Sequence, residues 1–158
     1  MKHIVIATDG SHGAAEAVRM GLELAKAEGA AVTFVHAFIP DELLYAGRVP
    51  GVVMPAQVPA GPPPEAETDG PLVAAAAEAK RTGVQHDTEL VGGDPVSAIL
   101  ACADEHDADL VFVGSRGHGA IVSALLGSVS KAVVTRAKRP VLVVRAAPAE
   151  EPAAGRAA

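Results

Sequence analysis

Short, nearly unbroken apolar runs alternate along the chain with longer stretches in which apolar residues recur every three or four positions. The runs are His3–Thr8, Ala31–Ala37, His86–Val91, Asp109–Gly114 and Pro140–Arg145. Strands covered on both faces read this way, because neither side of the sheet has to present polar residues to water. Between the first two runs, Ala14, Val18, Gly21, Leu22 and Ala25 fall at i, i+4, i+7, i+8 and i+11, which is one face of a helix over Ser11–Glu28. The same spacing recurs at Val96, Ile99, Leu100 and Ala103, and again at Leu126, Val129 and Val133. The alanine-rich Leu72–Thr82 reads as a further helix. Five strands and four helices in strict alternation predict an α/β fold with a parallel sheet and helices on both faces, since each right-handed crossover needs a covering helix.

Two segments fall outside this alternation. Phe38–Asp69 carries Pro40, Pro50, Pro55, Pro59, Pro62, Pro63 and Pro64, and it far exceeds the usual connection of about 4–6 residues. A loose surface loop or a lid over a ligand both fit such a segment. The stretch from Ala146 (AAPAEEPAAGRAA) has no bulky apolar residue, so 147–158 is expected to be a disordered tail. The remainder, 1–146 with 38–69 as a proline-rich insertion, is expected to form one domain, and no internal repeat is present.

Composition narrows the function. Hydrophobic residues make up 49% of the 158 positions, but 33 of the residues are alanine, so the core must rest on many small contacts around the Val, Ile and Leu runs. Aromatics are 3%, Trp is absent and the formal net charge is −6. Stacking platforms for single-stranded nucleic acid are therefore missing, and phosphate backbones and anionic membranes are repelled. No apolar stretch approaches the roughly 20 residues that span a bilayer, and the first residues lack a signal-peptide pattern. With a single cysteine, Cys102, a disulfide framework is excluded. A cytoplasmic protein is expected, with neither nucleic acid nor membrane as partner.

In open parallel sheets ligands bind beyond the carboxyl ends of the strands, where the strand order reverses. Two turns stand out there. The first strand is followed by Thr8-Asp9-Gly10-Ser11, an acid at the strand end and a serine able to cap the next helix. The fourth is followed by Gly114-Ser115-Arg116-Gly117-His118-Gly119 and, after the seven residues Ala120–Leu126, by Gly127-Ser128-Val129-Ser130 opening a helix. Glycines let main-chain N–H groups approach a bulky anion, and a helix N-terminus adds free donors and positive potential, so this segment can cradle phosphates. Ser128 and Ser130 can add hydroxyls, and Arg116 or His118 positive charge. Taken alone, a glycine-rich connection with capping serines explains the same residues, and Asp9 taken alone explains a capped turn.

These residues carry a resemblance. Gly114-x-x-Gly117, nine residues, then Gly127-Ser128 is similar to the nucleotide-binding signature of the ATP-binding branch of the universal stress protein family. ATDGS, GDPVSAIL, DADLVFVGSRGHG, LLGSVSKAVV and RPVLVVR resemble the same family in the same order, over nearly all of residues 1–146. The resemblance implies a three-layer open five-stranded sheet of order 3-2-1-4-5, the adenine nucleotide α-hydrolase-like fold. It implies ATP as ligand, with Mg2+ carried on the phosphates. Asp9, beside Ala7 and Thr8, would meet the adenosine, and the main chain at Ala37 the adenine edge. Gly114, Gly117, Gly127 and Ser128 would hold the phosphates, with Val113, Ser115, Arg116, His118, Val129 and Ser130 close by. It also points to a homodimer through the last strand, 140–145, whose apolar edge would otherwise face water.

Three functions compete. The leading one is a nucleotide-binding regulatory module of the stress response. A slow ATPase or phosphotransferase is the alternative, although the sequence lacks a GxxxxGK[ST] loop and the acidic metal ligands of strong phosphoryl-transfer catalysts. No catalytic residue and no protein-built metal site is expected. A flavodoxin-type redox carrier would need aromatic stacking on the flavin, and Tyr45 is the single tyrosine. His3, His86 and His106 read as solitary structural or solvated residues, His36 as a strand-end residue near the cleft, and Cys102 as part of a core face.

Overall fold

The computed structural model describes residues 1–38, 65–115 and 126–146. The elements follow in the order β1 (His3–Ala7), α1 (His12–Glu28), β2 (Ala31–Phe38), α2 (Gly70–Thr82), β3 (His86–Gly92), α3 (Pro95–Glu105), β4 (Leu110–Gly114), α4 (Ser128–Arg136) and β5 (Val141–Val144). The sheet runs β3-β2-β1-β4-β5, the order that the resemblance implied. All four pairings are parallel, with Ile6 level with Phe34 on one side and with Phe112 on the other.

Alternation along the strands splits the core into two layers. Ile4, Ile6, Val32, Phe34 and Phe112 point to one face and pack with Ala17, Val18, Leu22 and Ala25 of α1 and Leu72, Ala75 and Ala79 of α2. Val5, Val35, Val111 and Val113 point to the other, under Val96, Ile99 and Cys102 of α3 and Val133 of α4. Two covered faces explain why the strands read as unbroken apolar runs.

Local chemistry sets the helix ends. Ser11 caps α1 by accepting from the Ala14 N–H at 3.3 Å, and Gly29 closes it in the left-handed region at φ 66°. Asp69 caps α2, with Pro71 in the first turn, so that helix begins two residues before the predicted Leu72. Leu126 is a correction: it was expected on the apolar face of the last helix, but Gly127 is the cap, and Leu126 precedes it, 38% exposed. The strand ends also retreat from their predicted bounds, with β1 stopping at Ala7 and β5 spanning only Val141–Val144. Phe38 belongs to β2 rather than to the insertion. Residues 39–64 of the proline-rich segment, with its lid reading, and the tail 147–158 lie outside the described residues.

Asp94 caps α3 through both the backbone N–H (2.8 Å) and the hydroxyl (2.7 Å) of Ser97. The Ser97 hydroxyl, then its N–H, hold the Asp94 carboxyl below its usual value of 3.8. A folded pKa below the unfolded one means stability that is present above pH 3.8 and lost as pH falls through the folded value. Asn caps comparably without titrating. The melting-temperature advantage of the wild type over Asp94→Asn should therefore shrink on acidification below about pH 4. A difference that stays constant down to unfolding in acid would contradict this cap.

Candidate functional site

β1 lies between β2 and β4, so the chain leaves it toward one side through α1 and returns on the other. That makes the carboxyl ends of β1 and β4 the switch point where a ligand cleft is expected. On the β1 side, Thr8 is buried and its N–H donates to the Val35 carbonyl at 2.9 Å, which ties this turn to β2. The Ser11 N–H donates to Asp9 Oδ1 at 2.9 Å, and Gly10 takes φ 76°, so the Asp9 carboxylate is fixed at the mouth of the turn. Ala37 is half-buried near the end of β2, level with Val91 of β3.

On the β4 side, Gly114 comes against the first turn of α1. A Cβ built on it would stand 2.6 Å from the Gly13 carbonyl carbon and 2.8 Å from the Ala14 nitrogen. The first glycine of the motif is thus required by backbone packing. The next residue, Ser115, donates its N–H to Val144 of β5 at 2.6 Å and accepts from the Gly127 N–H at 2.6 Å. Ser130 is buried, with its hydroxyl within 3.1 Å of the Ser115 carbonyl and 3.0 Å of the Gly127 carbonyl. Its proton serves this brace between the start of α4 and the end of β4. Gly127 has ordinary extended dihedrals (φ −69°, ψ 162°) and, unlike Ser11, Asp69 and Asp94, gives its helix no side-chain cap. Ser128 is exposed and Val129 half-buried in that uncapped turn.

The structure thus gathers Ala7, Thr8, Asp9, Val113, Gly114, Ser115, Gly127, Ser128, Val129 and Ser130 around the ends of two adjacent strands. Arg116, Gly117 and His118 lie outside the described residues. His36, weighed as a cleft residue, has its Nδ1 at 2.9 Å from Asp69, the cap of α2, and so pins the chain's return after the proline-rich segment to β2.

The model of the universal stress protein family matches residues 1–145. The chain belongs to that family. A universal stress protein encoded beside a QAH/OAS sulfhydrylase in Thermus aquaticus is 37% identical over 152 residues, covering 91% of this chain and 98% of the relative. Universal stress protein YxiE of Bacillus subtilis is 31% identical over 145 residues, covering 90% and 97%. Among solved structures, a universal stress protein in complex with cAMP superposes with a TM-score of 0.65 at 30% identity, over 92% of this chain and 98% of that one. Among the described residues of this universal stress protein, no helix is long and apolar enough to cross a membrane.

The reading of His3 and His106 as solitary is corrected. Their rings stack 5.0 Å apart at 10° between planes. His3 Nε2 meets Thr33 Oγ1 at 2.9 Å, and His106 Nε2 meets Glu89 Oε1 at 2.5 Å. Burial, then the neighbouring His106, holds His3 below its usual pKa. Burial, then Glu89, pushes the Cys102 thiol upward. The sequence signal for this group was slight: Cys102 and His106 stand four apart, one face of a helix end, but Glu89 and His3 reach them only through the sheet order.

Proposed function

We propose that this protein is an adenine-nucleotide-binding regulatory module, with ATP held between the ends of β1 and β4. One observation carries the reading. Among the described residues the N-terminus of α4 has no side-chain cap, and the Gly127–Ser115 hydrogen bond seats it at the carboxyl end of β4. Uncapped first-turn N–H groups at a switch point suit a phosphate. The anchored Asp9 carboxylate suits a ribose hydroxyl, and the family membership favours the same use of both. Arg116, Gly117 and His118 complete the phosphate loop in this proposal, and a magnesium ion would be carried on the phosphates. The relative solved with cAMP supports a second occupant, a cyclic nucleotide, at the same place. The module is assigned to the cytoplasm and acts by occupancy rather than by rapid turnover. Its edge strand β5 pairs with a second copy: Val141, Leu142 and Val143 are only half-buried, and among the described residues β5 pairs with β4 alone.

Native mass spectrometry of the purified protein, followed by denaturation and chromatography of what is released, tests both parts. A mass near twice the chain's 15.9 kDa with one adenine nucleotide per chain is expected. In thermal melts, ATP at about 100 times Kd should add roughly 2.7 kcal/mol, or about 5–10 °C. A larger shift from cAMP than from ATP selects the cyclic ligand, and no shift from either removes the proposal.

A further inference from the structure

Away from the nucleotide cleft, β3 and the end of α3 bring three unlike ligand groups together. Glu89 stands midway along β3, Cys102 on the buried side of α3, and His106 is the residue that ends that helix. One ligand atom from each lies within 4.8 Å of the other two. His106 Nε2 already touches Glu89 Oε1 at 2.5 Å. Among the described residues this is the one such group of three. Its His106 end lies toward the amino ends of the strands, because His3, the first residue of β1, stacks on His106, while Glu89 is level with Val35 and separated from β4 by β2 and β1. Asp9 and Ser115 lie at the other end.

We propose that Glu89, Cys102 and His106 form a binding site for one zinc-class divalent cation. In a tetrahedral zinc site, thiolate at about 2.3 Å and imidazole and carboxylate at about 2.0–2.2 Å from the metal leave neighbouring ligand atoms roughly 3.5 Å apart. The present spread, from 2.5 Å to at most 4.8 Å, is brought to that value by small side-chain rotations. Mixed sulfur, nitrogen and oxygen donors select zinc or cobalt over magnesium or calcium, which take oxygen shells. Metal binding replaces the thiol hydrogen by a sulfur–metal bond, and the proton leaves to solvent. Thiolate and carboxylate together neutralise the dication, so the half-buried site holds no net charge. The side chains of Glu89 and His106 are 29% and 28% exposed, which leaves a path for the ion and for water as fourth ligand. His3 contributes by positioning: its stack fixes the plane of the His106 ring, while Thr33 fixes His3 in turn. The bound ion would tie β3, an edge strand, to the end of α3.

Cobalt(II) titration decides the matter, because Cys102 is the one cysteine in the chain and any thiolate-to-cobalt charge-transfer band must come from it. One equivalent of cobalt should produce that band together with intense tetrahedral d–d absorption, and zinc should displace both. Cys102→Ala, checked for folding by circular dichroism, should lose the charge-transfer band entirely. Glu89→Gln and His106→Gln should each weaken cobalt binding at least tenfold. Wild-type protein that binds cobalt without the charge-transfer band carries it on surface histidines, and that result overturns the proposal. A band that survives in Cys102→Ala, or an unchanged affinity in both other variants, overturns it as well.

Discussion

Gly114→Ala should lower the melting temperature by about 6–12 °C and do so equally with and without nucleotide. The added methyl would stand 2.6 Å from the Gly13 carbonyl carbon, 2.8 Å from its oxygen and 2.8 Å from the Ala14 nitrogen, all backbone atoms of the first turn of α1. A flexible side chain could swing away from such a contact, whereas a helix turn cannot without moving the helix. α1 is held to the sheet by Ala17, Val18, Leu22 and Ala25, each 5% exposed or less. Overpacking of this kind costs roughly 3 kcal/mol, and for a chain of this size each kcal/mol corresponds to about 2–4 °C. Gly29→Ala makes a useful contrast. Gly29 has open space around it and φ 66°, so the cost there is conformational strain of about 1–2 kcal/mol. An unperturbed melt for Gly114→Ala would mean that β4 and α1 do not approach as described.

This glycine also shows where reading a sequence stops. Its place in a nucleotide-binding signature suggests a phosphate contact, yet the packing alone demands it, because the residue it would strike is about a hundred positions away in the chain. The strands and helices were legible because both faces of the sheet are covered, which writes each strand as an apolar run such as IVIA or LVFV. The start of α1 was legible to within a residue because Ser11 announces its cap. At the last helix the opening at Gly127-Ser128 was legible as well, and only the apolar spacing drew Leu126, one residue ahead of the cap, onto the helix face. The strand order cannot be read from periodicity at all and came through the resemblance. Of the Glu89–Cys102–His106 group only the four-residue spacing of Cys102 and His106 was legible: Glu89 joins them by the packing of the helix back onto the sheet, and His3 comes alongside through the order β3-β2-β1-β4-β5.

Gly117→Val should leave the ligand-free melt within about 1 °C of wild type yet weaken nucleotide binding at least a hundredfold, a loss of about 2.7 kcal/mol at 1.4 kcal/mol per tenfold. The two glycines of the motif are expected to divide the work: Gly114 serves the fold, whereas Gly117, three positions on and outside the described residues, is given to the phosphates by the resemblance. A β-branched side chain there restricts the loop backbone and occupies phosphate space. Asp9→Ala should cost less, roughly tenfold, because one hydrogen bond accepted by a charged group is removed while the phosphate donors remain. Isothermal calorimetry with ATP on the three variants reads the division directly. Wild-type affinity in Gly117→Val would move the phosphates off this loop, leaving the uncapped start of α4 as their only anchor. An affinity lost in Gly114→Ala at temperatures where that variant is still folded would return the first glycine to the ligand.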